Sequence, residues 1–215
     1  ISVNPPDKNK PGTVGPSLSG VNVKIANDGE ILVQSDSVME GYYKHPKETS
    51  DTIINEWLHT GDIGELDADG YIKITDRKKE LFKTSGGKYI APAQIEEMLK
   101  QLNYIEQILI IGNERMFVTS LIVPQIEHLK MLAGKLKVNY KSEKELHGNK
   151  EILKEIEKDI NSVQKNLAAY EKVRRFALLE EPFSVENNQL TPTLKVKRKI
   201  VEERYKDVIE KMYEK

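Results

Sequence analysis

The chain has 215 residues, 31% of them charged and 38% hydrophobic, with 33 Lys and Arg against 34 Asp and Glu for a formal net charge of −1. That length holds one large domain or two small ones, and the composition is that of a folding chain rather than a disordered one. Balanced charge argues against a global polybasic nucleic-acid binder, and the lack of cysteine excludes a disulfide scaffold, thiol catalysis and cysteine-ligated zinc or iron–sulfur centres.

The chain opens on Ile1, without a signal-peptide pattern, in a Pro- and Asn-rich stretch that reads as a cut inside a longer chain. The first third reads as β. Val21, Val23 and Ile25 alternate with polar residues, as do Ile31 and Val33, around an Asn27-Asp28-Gly29 turn. Residues 63–66 and 71–75 form a second hairpin across Asp67-Ala68-Asp69-Gly70. The pattern breaks at the charged run from Asp76 to Glu80, whose bland reading is a solvated linker. Ser85-Gly86-Gly87-Lys88 is a turn, and Pro92 opens a helix with Ile95, Met98, Leu99 and Leu102 on one face. Strands fit residues 105–111 and 117–123, and a helix follows Pro124. The strongest helical period runs from 149 to 170, and a short strand fits 176–179. A polar loop spans 186–192, and the chain closes with one amphipathic helix carrying Ile200, Tyr205, Val208, Ile209 and Met212. The longest apolar run, Ile108-Leu109-Ile110-Ile111, falls far short of the roughly 18 residues of a membrane span. The order predicts a β-rich part over 1–76 and a compact α+β part over 77–215, joined near 76–79.

Taken singly, the residues able to carry chemistry are ambiguous. Thr60-Gly61-Asp62 can aim a carboxylate at paired ribose hydroxyls, or be a surface turn. Ser85-Gly86-Gly87-Lys88 offers backbone N–H groups and a cation, but lacks the Walker spacing and fits a tight hairpin turn better. Lys195, among Thr191, Thr193 and further cations, could stabilise charge developing on a transferred oxygen, or be a solvated start to a helix. Asp67 and Asp69 fit a β-turn better than acid–base chemistry or calcium binding. Tyr42, Tyr43, Tyr71 and Tyr89 fit no RNA-recognition pattern, and the four His have no metal-binding spacing, so no metal site is predicted.

Order and spacing say more. GEILVQSDSVMEGYYKHPKET, then WLHTGDIGELDADGYIKITDRKKELFKTSGGKYIAPAQIE, then LTPTLKVKRK resembles the adenylate-forming enzymes along essentially the whole chain. The version here looks most like the long-chain fatty-acid–CoA ligases. The grounds are TSGGKYIAP, the long helical insertion between Gln125 and Lys172, and LTPTLKVKR where many relatives have Gly before the lysine.

The resemblance implies an α+β fragment: the end of a large domain's β-barrel subdomain, then the small mobile C-terminal domain. It implies that a fatty acid and ATP give acyl-AMP and pyrophosphate, and that CoA then displaces AMP. Asp62 would grip the ATP ribose hydroxyls, with Arg77 beside the ribose. Lys79 matches the hinge, where relatives have Asp or Lys. Lys195 matches the lysine that stabilises the adenylation step. Ser85, Gly86, Gly87 and Lys88 match the loop lining the pantetheine channel, with Lys88 replacing an Arg of some relatives. Tyr89 lies where an aromatic can gate the acyl channel. The phosphate loop, the magnesium-binding Glu and most of the acyl pocket would lie upstream in the same polypeptide, so the 215 residues alone are expected to be inactive. ATP and CoA imply a cytoplasmic setting, and a long-chain acid implies peripheral membrane contact. The alternatives are a ligase for aryl, medium-chain or carrier-bound acids, and a non-enzymatic module using the basic residues 195–199.

Overall fold

The computed structural model describes residues 1–214. The chain forms two compact units, Ile1–Leu81 and Phe82–Lys215.

The first unit is an open sheet. Its strands are β1 (Asn22–Ile25), β2 (Glu30–Gln34), β3 (Ile53–Ile54), β4 (Trp57–Leu66) and β5 (Ile72–Arg77), with one short helix, α1 (Pro46–Thr52). Antiparallel β1 and β2 lie along one edge of β4, while β3 and β5 share its other edge at opposite ends. The expected barrel portion is thus an open sheet among the described residues. The first hairpin turns on Gly29 at φ 85°, with Asp28 Oδ1 accepting the Glu30 N–H at 3.2 Å. In the second, Asp67 Oδ1 accepts the N–H groups of Asp69 and Tyr71, both at 2.9 Å, so this carboxylate builds a turn. The core here is small: Ile31, Val33 and Ile72, with Val21, Val23 and Leu58 against them. Gly64 fits because any Cβ would lie 2.4 Å from the Lys73 carbonyl oxygen.

The second unit is a three-stranded sheet covered by helices on both faces. β6 (Phe82–Lys83) and β7 (Tyr89–Ile90) make a small hairpin, followed by α2 (Pro92–Leu99). Then come β8 (Ile105–Ile111), β9 (Val118–Pro124), α3 (Ile126–Leu136), α4 (Glu143–Gly148) and α5 (Lys150–Val163). β10 (Val173–Leu178), α6 (Arg198–Arg204) and α7 (Lys206–Tyr213) complete it. The sheet order is β10-β9-β8, with β9 antiparallel to β8 and parallel to β10. Every residue of the central strand β9 is buried. Alternation then sorts one apolar run into two cores. Ile108, Ile110 and Ile122 join α2, α3 and α5, whereas Leu109, Leu121 and Val123 join Phe183 and the last two helices. Among the described residues no helix is long and apolar enough to cross a membrane.

Three details depart from the sequence expectation. The helix predicted to 170 ends at Val163, because Gln164 is buried and its amide bonds both Val173 N–H (2.8 Å) and Val173 O (3.0 Å). The closing helix is two helices, broken at Tyr205 (φ −102°, ψ 21°). The charged run is not all solvated: Asp76 is 5% exposed, and Asp76 and Arg77 pair with Ile63 and Asp62 within β5. The first unit therefore runs past residue 76 to Leu81, whose N–H bonds the Arg77 carbonyl at 3.2 Å.

Candidate functional site

Asp62 and Arg77 face each other across the β4–β5 ladder. Arg77 Nε lies 2.6 Å from Asp62 Oδ1, a charge contact whose N–H is not aimed at the oxygen, so Oδ1 is a buried acceptor without a hydrogen bond. The segment before Asp62 is tightly built. Gly61 takes φ 73°, Thr60 Oγ1 donates to the Ile31 carbonyl (2.7 Å), and Asp62 N–H donates to Thr60 Oγ1 (3.1 Å).

Beneath it lies a carboxylate that the sequence reading passed over. Glu30 is 2% exposed and accepts from His59 Nδ1 (2.7 Å), Lys78 Nζ (2.8 Å) and Gly61 N–H (2.9 Å). Lys78 also reaches Asp28 at 2.8 Å, and its N–H bonds the Gly61 carbonyl at 2.8 Å. Burial pushes the Glu30 carboxyl up, but the bonds from Lys78, His59 and Gly61 outweigh it and hold the group below the usual carboxylate range. Asp28 and Glu30 together raise the Lys78 ammonium. An acid heading an otherwise apolar strand, Glu30-Ile31-Leu32-Val33, was the available signal. Lys79, next in the chain, is exposed and makes no ion pair among the described residues.

In the second unit, residues 84–88 form the β6–β7 turn. Thr84 N–H bonds the Lys88 carbonyl (2.9 Å), Gly87 N–H bonds the Thr84 carbonyl (2.9 Å), and Gly87 sits at φ 80°. The hairpin rests on the turn after β8: Ser85 N–H reaches the Arg115 carbonyl (3.0 Å), and Glu114 N–H the Lys83 carbonyl (2.7 Å). Phe82 packs so closely on Gly112 that a Cβ there would lie 2.7 Å from its ring. Tyr89 is 65% exposed, with Lys83 Nζ 5.6 Å from its ring centre, so it forms no wall within this unit. Lys88 Nζ lies 5.7 Å from the Tyr170 ring centre.

Lys195 is carried by a different loop. Thr191 N–H bonds the Lys195 carbonyl (2.8 Å), Thr191 Oγ1 accepts the Lys195 N–H (3.0 Å), and Leu194 holds φ 61°. The backbone is fixed while the side chain is exposed, with no partner for its ammonium among the described residues. Three residues on, Arg198 anchors the loop: it donates to Glu96 Oε1 (2.7 Å) and the Ile110 carbonyl (3.1 Å), and Glu96 also accepts the Ile110 N–H (2.8 Å). Burial pushes the Glu96 carboxyl up, against the pull of Arg198. Sequence reading missed this pair, since 102 positions separate its members. The Lys195 loop and the 84–88 turn thus stand apart, each tied to β8 or the turn after it.

This architecture is that of the adenylate-forming enzymes. The adenylation domain of a carboxylate reductase from Mycobacterium chelonae superposes with a TM-score of 0.69 at 24% identity, over 94% of this chain and 32% of that one. The anthranilate CoA ligase AuaEII with anthranoyl-AMP gives 0.65 at 21%, over 96% and 37%. Residues 80–215, more than half of the chain, match the AMP-binding enzyme C-terminal domain, and the chain belongs to that family. Long-chain-fatty-acid–CoA ligase FadD15 of Mycobacterium tuberculosis is 35% identical over 210 residues, 96% of this chain and 34% of the relative. Long-chain-fatty-acid–CoA ligase 5 of Rattus norvegicus is 39% identical over 194 residues, 88% and 28%. The chain therefore spans about a third of the length of these relatives.

Proposed function

We propose that this chain is the C-terminal part of an AMP-forming long-chain fatty-acid–CoA ligase. The observation that carries the reading is identity of 35% and 39% to two long-chain ligases across nearly all of the chain. Asp62, held at a fixed point of β4 with Arg77 Nε against its buried Oδ1, accepts from the ribose hydroxyls of ATP through the rest of its carboxylate. Lys195, an unpaired ammonium on a stiff loop, stabilises the negative charge that builds as the fatty carboxylate attacks the α-phosphate. The acyl-AMP so formed loses AMP to the CoA thiol, with the 84–88 turn lining the pantetheine path and Tyr89 at the acyl channel. Lys79 serves as the hinge. Mg2+ arrives with the nucleotide. Among the described residues no three His, Asp or Glu lie close enough to hold it, and we assign it no ligand in this chain. We place the protein in the cytoplasm, at the membrane periphery, from the solubility of its substrates.

The basic-module reading is weakened at its own residues. Of the cations in 195–199, Lys197 Nζ is held by Asn188 Oδ1 (2.6 Å) and Arg198 by Glu96.

The test is Lys195→Ala in a chain with its upstream region restored. Palmitate-dependent pyrophosphate exchange should fall about a thousandfold, while thioester formation from supplied palmitoyl-AMP persists. Retention of both steps near wild-type rates removes Lys195 from the chemistry. Absence of exchange with any carboxylic acid in the wild type removes the ligase reading.

A further inference from the structure

The outer edge of β10 is open, and it lies in a groove. α5 forms one bank and α7 the other, with an open depression of 530 Å³ between them. Its apolar lining includes Phe176 of β10 and Val208 and Met212 of α7. Four cations rim it: Lys150, Lys154, Arg174 and Lys211. None of the four makes an ion pair or side-chain hydrogen bond among the described residues. Arg175 is different, since its guanidinium is spent on the carbonyls of Met212 (2.8 Å) and Glu214 (2.6 Å). Glu157 is the one carboxylate among the described lining residues.

The backbone supplies an independent observation. Parallel strands turn the N–H and C=O of alternate residues to the same neighbour. Leu179 N–H bonds the Ile122 carbonyl of β9 at 2.8 Å. Alternation therefore turns the backbone groups of Phe176 and Leu178 away from β9, along the outer edge of β10, with Phe176 lining the groove. No helix, loop or side chain among the described residues bonds them. Between Val173 and Arg175 the register with β9 shifts, and at Val173 the outer edge is already occupied: the Gln164 amide bonds both its N–H and its carbonyl as an added strand would.

We propose that this groove binds an extended acidic peptide, which adds a strand to β10 and sets its carboxylates against the four cations. The inference does not depend on the ligase reading. A second copy of this chain is a poor occupant, since pairing edge to edge would bring four cations onto four. A flat bilayer is also poor, since helices on both banks hold it off the β10 edge.

The test uses the whole 215-residue chain and two fluorescein-labelled decapeptides, one alternating Asp and Val, the other Lys and Val. Anisotropy should rise saturably with the acidic peptide and at least about tenfold more weakly with the basic one. Lys154→Glu with Arg174→Glu should weaken acidic-peptide binding about tenfold or more. The milder Lys154→Gln with Arg174→Gln should weaken it several-fold, and serves if the reversal fails to fold. Amide hydrogen exchange at Phe176 and Leu178 should slow in the complex. The proposal is overturned by equal binding of both peptides or by unchanged affinity in the charge variants. It is equally overturned by unslowed exchange at those two amides, or by capture on phosphatidylglycerol vesicles without peptide binding. No binding of the acidic peptide leaves the cations as protection of a bare edge, and overturns it too.

Discussion

Glu30 shows how one side chain can set the shape of a site it does not enter. Its carboxylate ties the Gly61 N–H, His59 and Lys78 to one point, and so fixes the backbone that presents Asp62. Its pKa is depressed in the fold, so its stabilisation is fully present above the unfolded value of 4.5 and is lost as pH falls through the lower folded value. Glu30→Gln should therefore cost about 2 kcal/mol near neutral pH. The gap to wild type should close below about pH 4.5. Thermal melts from pH 7 to 3 read this directly, and a gap that widens in acid contradicts the assignment. The sequence could show Asp62 and Arg77 as motif residues. It could not show that Glu30, 32 positions earlier, is their foundation, because burial of an acid depends on a strand pairing that composition does not record.

At the scale of elements, period and turn chemistry revealed most of the fold. Both hairpins of the first unit, the helix opening at Pro92, and the strands β8 and β9 lie where alternation and turn residues place them. Misplacements arose where a tertiary partner overrode local pattern. Leu167 and Tyr170 continue the apolar period of α5, yet the helix stops because Gln164 is recruited by Val173. Short elements such as α1 and α4 were not legible, having too few residues to express a period. Gln164→Ala strands two backbone groups of the buried Val173 and should destabilise the second unit by about 3 kcal/mol. Gln164→Glu should do no better, since it keeps the bond to the N–H but turns an oxygen toward the Val173 carbonyl. Urea titration of the three proteins checks this, and a Glu variant as stable as wild type removes the paired amide as the cause.

For the whole molecule, the two units are unequal. The second carries two extensive cores on the faces of one sheet, while the first buries only a small group around Ile31, Val33 and Ile72. Core size governs whether a piece folds alone. Residues 82–215 expressed separately should melt in one cooperative transition, whereas residues 1–81 should be marginal. Calorimetry of both pieces decides, and the absence of a transition in the larger one would refute the division.

The anchoring of one loop to β8 and of another to the turn after it has a consequence for the two-step reaction proposed above. The Lys195 loop is pinned through Arg198 and Glu96 to Ile110, and the 84–88 turn is pinned to the carbonyl of Arg115, a few residues along the same stretch. They are two tools clamped in one stock. In the proposed chemistry one tool serves adenylation and the other thioester formation, and their separation is built in at synthesis. Under the proposed function, exchanging them turns the stock as a whole and leaves both tips as they are. Under that same proposal, the timing of the two steps falls to a few backbone torsions near Lys79, and their accuracy to the hydrogen bonds that hold both loops.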